Sequence, residues 1–370
     1  MRFSKVALVH DWTIHMRGGE KVLDALAEVF PQATLYTLFC DRSKLSPRLQ
    51  KLKIKTSFLQ WLPGIKRYYR WLLPFFPFAI KTLRIQRETQ LVLSSSHCVA
   101  KGISIPKGAL HVCYCHTPMR YAWVAEDVYF RSFVFPMRIL IKGIMALLRK
   151  WDKKVNRSVD LFIANSDYIR QRIDRVYNRH AEVVHPSYED GFFHPTTSKK
   201  NYYFAISHFV PYKKIDIIIE AFNDLNKELI VAGSGPLDKV YRSLVTQPKI
   251  KFVGSVSDEK LRDLYSSAKA VIFPAEEDFG IVPLESQACG TPVIAFGKGG
   301  ALESVKSGVF FEEQTPESLK AAVERFERES FPTHEIYGKI SGFRRAVFLN
   351  QIKAAVQRAQ ARKNAKLSPN

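Results

Sequence analysis

Glu276-Glu277-Asp278-Phe279-Gly280-Ile281-Val282-Pro283-Leu284-Glu285 follows directly on the apolar run Val271–Phe273. A β-branched run that passes through an acidic turn into a segment with an early proline reads as a strand, a loop and the first turn of a helix. The Phe279 and Gly280 N–H groups then face outward for an anion, and Glu285 lies about one turn along the helix. Glu277 and Glu285 can hold different parts of one long ligand, the first the hydroxyls of a sugar and the second the diol of a ribose. An acidic helix cap followed by a solvated face suits the same spacing, and this segment alone leaves the two readings even.

Moving outward, short β-branched runs alternate with helical periodicity along the whole chain, which is the pattern of parallel α/β layers. In the first half the expected strands are Val6–His10, Thr34–Leu38, Leu91–Ser95, Leu110–Cys115 and Leu161–Asn165, with helices at Glu20–Phe30 and Arg138–Val155, the latter after the aromatic segment Phe130–Pro136. Periodicity lapses over Pro186–Lys200, which reads as a linker. It restarts with strands Tyr203–Ser207, Leu229–Ala232, Ile250–Val253, Ala270–Pro274 and Val293–Ala295 and with helices over Ile215–Phe222, Asp258–Ser267 and Ile281–Cys289, before a last helix at about Ser341–Lys363. The expected domains are residues 1–190 and 191–335, with a terminal segment 336–370. Ligands of such sheets bind just after the strands, at their carboxyl ends.

The 370 residues are 46% hydrophobic and 25% charged, which excludes disorder, collagen and coiled coil and suffices for two separate cores. The net charge of +21 is distributed unevenly. No carboxylate stands between Asp41 and Glu88, a stretch with 12 cations; the gap from Asp127 to Asp152 holds 5 more, and the tail beyond Glu335 another 8. The remainder is slightly acidic, so basic patches sit on a near-neutral body. Gly64–Phe78 interleaves Lys66, Arg67 and Arg70 with aromatic rings, a mixture suited to an anionic membrane interface. The alternatives are aromatic packing beneath solvated cations, or nucleic acid, for which no recognised motif is present. The five cysteines form no CxxC pair, which argues against a zinc site or disulfide framework and for a reducing compartment. The amino-terminal region lacks the apolar core of a signal peptide. The aromatic run Trp71–Ile80 has about half of the ~20 residues that a spanning helix needs, and it contains two prolines.

His10-Asp11-Trp12 ends the first strand, and Arg17-Gly18-Gly19-Glu20 leads into a helix. Glycines at that junction let N–H groups approach a phosphate at the helix N-terminus, although such a turn is also an ordinary structural feature. With the acidic segment, these residues resemble the family-4 retaining glycosyltransferases of the two-domain GT-B fold. Glu277-x7-Glu285 with Phe279 and Gly280 is similar to that family's EDFGxxxxE signature. Val6–Asp11, Gly18–Leu23, Ser94–His97, Cys115–Trp123, Ala164–Ser166 and Gly299–Glu303 resemble its O-antigen and capsule mannosyltransferases, in the same order.

The resemblance implies two Rossmann-like domains facing across a cleft, with the C-terminal helix crossing back to the N-terminal, acceptor-side domain. It assigns His116, Glu277 and Lys213 to catalysis, with His116 facing the transferred sugar. Donor binding falls to Gly18, Gly19, His208, Lys213, Phe279, Gly280, Ile281 and Glu285, with Gly254 and Val256 beside the base. Arg17, Arg120 and Tyr121 are acceptor-side candidates. No metal and no cofactor is implied, and no Asp-x-Asp occurs in the cleft-forming loops. His208 departs from the family, which has Arg there; a neutral imidazole lacks that fixed charge and fork of donors. A protonated His208, or Lys214 as a neighbouring cation, would compensate. The implied activity is retaining transfer of a hexose, mannose from GDP-mannose, to a lipid-linked glycan by a cytoplasmic protein peripheral on the inner face of the plasma membrane, without nucleic acid. A UDP-sugar donor and a non-catalytic nucleotide-sugar or lipid-binding protein are the alternatives.

Overall fold

The structure, a computed structural model, describes residues 3–123 and 135–367. The chain forms two compact units, one of residues 1–185 and 348–370 and the other of Pro186–Val347.

The first unit is built on a seven-stranded parallel sheet. Its strands are β1 (Val6–His10), β2 (Thr34–Thr37), β3 (Lys53–Thr56), β4 (Leu91–Ser96), β5 (Leu110–Cys115), β6 (Leu161–Ala164) and β7 (Ala181–Val183). They lie in the order β3-β2-β1-β4-β5-β6-β7, so the direction of winding reverses between β1 and β4. Alternate side chains feed opposite faces: Ala7 and Val9 join one core, Leu8 the other. The Leu8 face is covered by the helix Gly18–Val29 through Val22, Leu23 and Leu26, and by Phe348, Ile352 and Val356 of the terminal helix Arg345–Leu367. The opposite face receives Leu59, Ile65, Leu73, Phe76 and Ile80 from the aromatic-rich segment and Met145 and Leu148 from the helix Phe135–Val155.

A buried ion pair locks that helix down. Lys101 and Asp152 are fully buried with Nζ 2.5 Å from Oδ1, while Asp152 Oδ2 accepts from the Trp123 indole at 2.8 Å and the Tyr177 hydroxyl at 2.7 Å. Each charge is tolerated in the interior because the other is present and further hydrogen bonds complete the carboxylate.

The second unit repeats the winding with six parallel strands: β8 (Tyr203–His208), β9 (Leu229–Ser234), β10 (Ile250–Gly254), β11 (Ala270–Phe273), β12 (Val293–Phe296) and β13 (Gly308–Phe311), in the order β10-β9-β8-β11-β12-β13. Here the reversal falls between β8 and β11.

Three expectations require correction. The boundary lies at His185/Pro186 rather than 190/191, and the stretch read as a linker carries Tyr188 and Phe193, both buried in the second unit's core. Residues 336–347 also belong to the second unit, because Ile340 and Phe343 join the same core; the change of unit comes at Phe348. Gly18 and Gly19 form the first turn of their helix rather than the loop before it. Strands β3, β7 and β13 and the helix Pro316–Glu327 were not expected; the strands are only three or four residues long and lie at sheet edges, where pairing rather than apolar patterning defines them. Of the aromatic segment Phe130–Pro136, residues 130–134 lie outside the described residues.

Asp152→Ala leaves the Lys101 ammonium buried and is expected to cost about 3–5 kcal/mol in urea unfolding, whereas pairing Asp152→Leu with Lys101→Met returns most of that loss.

Candidate active site

In the first unit the chemistry-bearing side chains gather where the winding reverses. β1 and β4 pair in register with His10 opposite Ser95, and His116 follows β5 next door. The His10 Nδ1 to Ser95 Oγ distance is 3.1 Å and the Ser95 Oγ to His116 Nε2 distance is 2.8 Å. His97 completes a triangle of imidazoles, 5.9 Å from His10 and 6.5 Å from His116 between centroids. Asp11 anchors the group: its fully buried carboxylate accepts the N–H groups of His97, Cys98, Val99 and Ala100 at 2.5–3.0 Å and sits 3.1 Å from His97 Nδ1. Burial pushes the Asp11 carboxyl up, but His97, His10 and the backbone donors outweigh it and hold the group below its ordinary 3.8. Burial, reinforced by His10, His97 and Arg120, pushes His116 well below 6.5, so its ring is neutral at neutral pH.

Gly19 lies against these rings. A Cβ there would stand 3.5 Å from His10 Cε1 and 3.8 Å from His116 Nε2, so a larger side chain would cover both. The first N–H groups of the helix Gly18–Val29 have no partner within the helix, which makes this end suited to an anion. Arg17 is exposed just before it, and its N–H donates to Glu20 Oε2 at 3.2 Å. Arg120 and Tyr121 are half-buried in the short helix that follows His116, and the Arg120 N–H donates to the His97 carbonyl. Asn165, at the end of β6, donates to the His116 carbonyl at 3.2 Å.

In the second unit, Lys213 Nζ and Glu277 Oε1 form an ion pair, uniting two of the expected catalytic residues at the reversal point between β8 and β11. His208 ends β8, and its Nδ1–H donates to the Ser234 carbonyl at 2.7 Å. Ser234 Oγ meets Ser255 Oγ at 3.1 Å, which ties the His208 loop to Gly254 and Val256. Gly254 has φ of +69°, and Val256 packs partly into the core. Gly280 caps the helix Ile281–Ala288 at φ +90°, where a Cβ would come within 3.2 Å of Phe273. The Phe279 ring is buried, and its carbonyl accepts from Ser304 Oγ at 3.0 Å; Ile281 is half-buried beside it. Glu285 is buried in the same helix, where the Tyr265 hydroxyl donates to Oε2 at 3.4 Å. Glu277 and Glu285 thus have different partners, Lys213 and Tyr265.

Several contributors lie outside the residues assigned to the site from the sequence, Gly299 and Gly300 having entered only within the stretch Gly299–Glu303 of the resemblance. Gly299 and Gly300 back the acidic loop: the Gly300 N–H donates to the Glu277 carbonyl at 2.8 Å, and a Cβ at Gly300 would lie 2.2 Å from Phe279 Cα. The buried Gln287 amide uses both its donors and its acceptor, reaching the Pro283 and Ser304 carbonyls and the Lys306 and Ser307 N–H groups at 2.7–2.9 Å. Gly233-Ser234-Gly235 folds against residues 207–209 so closely that a Cβ at Gly233 would overlap the Ser207 carbonyl. The Gly233-Ser234-Gly235 run at the end of β9 was the available signal for this last feature, whereas Tyr265 and Gln287 left none. No cluster of His, Cys, Asp or Glu suited to a metal ion occurs among the described residues.

Residues 187–341, nearly the whole second unit, match the model of the family described as glycosyl transferases group 1. Among curated relatives, an uncharacterized glycosyltransferase of Methanocaldococcus jannaschii is 35% identical over 125 residues, which are 30% of this chain and 32% of that protein. The O-antigen chain mannosyltransferase RfbU of Salmonella typhimurium is 30% identical over 175 residues, 44% and 49% of the two chains. A GDP-mannose-dependent monoacylated alpha-(1-6)-phosphatidylinositol monomannoside mannosyltransferase of Corynebacterium glutamicum is 30% identical over 184 residues, 41% and 48%. These matches span between a third and a half of the relatives' lengths. The fold is that of the GT-B structures: Anabaena HepE, solved with UDP, superposes with a TM-score of 0.69 at 16% identity, over 95% of this chain and 99% of that one.

Gly300→Ala is expected to displace the acidic loop and to lower the urea midpoint, while circular dichroism retains the α/β signature. The Asp11 carboxylate stabilises the fold fully above its unfolded pKa and loses that contribution as pH falls through its lower folded value. Asp11→Asn should therefore be less stable than wild type at pH 7, with the difference shrinking in unfolding titrations below about pH 4.

Proposed function

We propose that the protein is a retaining glycosyltransferase that moves mannose from GDP-mannose to a lipid-linked glycan acceptor in surface polysaccharide synthesis. The observation that carries this reading is the Lys213–Glu277 pair at the reversal point of a group 1 glycosyltransferase unit, beside the Gly280-capped helix start. The mannosyltransferase names of two relatives support the choice of sugar.

In the proposed reaction Lys213 exchanges Glu277 for the donor diphosphate, and Glu277 turns its oxygens to the sugar hydroxyls. Glu285, already steadied by Tyr265, takes the ribose diol. The bond between the sugar C1 and the phosphate oxygen breaks while the acceptor oxygen bonds to C1 on the same face. The acceptor's proton passes to the departing phosphate oxygen. Lys213 and the helix N-termini stabilise the negative charge that develops on the leaving group, and no metal is required. His208, whose Nδ1–H donates to the Ser234 carbonyl, is a further residue on the donor side.

The lipid-linked acceptor and an anionic inner-membrane surface rest on the exterior of the first unit. Trp61, Trp71 and Phe78 are 84%, 70% and 65% exposed and are interleaved with exposed Lys66, Arg67, Arg70 and Lys81. Ile139, Leu140 and Leu147 stand exposed on the helix Phe135–Val155 with Arg138 and Lys142, and both segments pack on the same core. Aromatic rings at headgroup level and cations against anionic lipid suit such a surface. No described helix is long and apolar enough to cross a membrane.

A donor panel on a lipid-linked acceptor tests the reading. GDP-mannose is expected to turn over with retained anomeric configuration; preference for a UDP-sugar would replace the donor, and donor binding without turnover would make the protein a nucleotide-sugar binder. Lys213→Ala should lower kcat by about 10²–10³, and His208→Arg should preserve or raise it. Sedimentation with anionic vesicles should fall steeply with salt, and removing Arg67, Arg70 and Lys81 together should weaken it by roughly 100-fold, at about 1 kcal/mol per cation. Equal binding to neutral vesicles would sink the membrane assignment.

A further inference from the structure

The reaction above leaves two features of the first unit unused. His10 is fully buried, and its Nε2 has no hydrogen-bond partner. Ser95 stands between His10 and His116, touching Nδ1 of one and Nε2 of the other.

A hydroxyl carries one proton, so Ser95 donates to one ring and accepts from the other. With one proton on each ring, two arrangements are available. In the first, His10 Nδ1–H donates to Ser95 and Ser95 donates to His116 Nε2, which leaves the His116 proton on Nδ1. In the second every bond reverses, and the His10 proton moves to Nε2. That nitrogen is sealed from solvent and faces no acceptor. The Glu20 carboxyl, close enough to interact electrostatically with His10, takes the Arg17 N–H and makes no hydrogen bond to it. A buried N–H without an acceptor is among the rarest states in folded proteins, whereas an unused acceptor is better tolerated. The first arrangement is therefore the one the interior accepts.

We infer that His10 and Ser95 are positioning residues that hold His116 as its Nδ1–H tautomer, so that His116 presents a hydrogen-bond donor to its ligand rather than a base. The part of this inference that concerns catalysis rests on the glycosyltransferase reading; the tautomer does not. His116 Nε2 is committed to Ser95 and lies against Gly19, which leaves Nδ1 for a hydroxyl of the transferred sugar. A nitrogen already protonated cannot take the acceptor's proton, which agrees with its passage to the leaving phosphate. The Ser95 hydroxyl thus sets which ring nitrogen of His116 meets the ligand.

The full chain labelled with ¹⁵N-histidine tests this without any donor present. In long-range ¹H–¹⁵N correlation spectra at pH 7.5, the His116 signals, assigned by their loss in His116→Asn, are expected to show a protonated Nδ1 and an unprotonated Nε2. The reverse pattern, an averaged ring or an imidazolium would overturn the inference, and absence of transferase activity would leave this readout untouched. Ser95→Ala should release the tautomer to averaging and lower kcat by about tenfold with KM for the donor within about twofold. His10→Asn, whose amide N–H takes the place of Nδ1–H, should retain the wild-type tautomer, whereas His10→Leu should behave as Ser95→Ala. An unchanged His116 spectrum and kcat in His10→Leu would remove His10 from the arrangement. Should the variants fail to fold, the wild-type spectrum decides the tautomer by itself.

Discussion

One buried carboxylate organises the first unit. Asp11 stands immediately after β1 and gathers four successive N–H groups just beyond β4, so the ends of the two strands at the reversal point cannot move independently. That constraint sets the turn carrying His97, and β1–β4 pairing sets His10 against Ser95. Trp12 then closes over His97 edge to face, with ring centroids 4.6 Å apart. A charge out of water is tolerable here because each of its lone-pair directions meets a donor. The polar end of an otherwise apolar sheet depends on it.

The second unit reaches its site by backbone contact. Gly233, Gly299 and Gly300 allow chain segments to approach to distances that no Cβ would permit, and the acidic loop takes its shape from them. Gln287 does the corresponding work within the helix layer, spending a complete amide on four backbone groups. On this base the Lys213 ammonium and the Glu277 carboxylate neutralise each other.

The large excess of Lys and Arg lies in the segments from Asp41 to Glu88, from Asp127 to Asp152 and beyond Glu335, while in the second unit's candidate site Lys213 is paired with Glu277. A surface that meets an anionic lipid layer benefits from many exposed, mobile cations. A site that must distinguish one leaving group benefits from few, fixed ones.

The α/β class and the central strands were legible because β-branched runs recur between helical periods, and the candidate sites left their mark as unusual residues at the ends of those runs or just after them: His10, His116, His208 and Glu277. Such local patterns survive in one dimension because a parallel strand buried on both faces must be apolar until it ends. Edge strands β3, β7 and β13 left no comparable mark, and the unit boundary was misplaced because Tyr188 and Phe193, in a segment rich in turn residues, are recruited to a core assembled from distant chain. Tyr265 beside Glu285, Gln287 beneath the acidic loop and Ser95 between two histidines are contacts between residues as much as 85 apart in sequence. Sequence by itself determined which chemistry the chain carries. Tertiary structure decided which atoms of those residues are committed and which remain for a ligand, because hydrogen-bond partners and burial are properties of packing and leave no periodic trace in the chain.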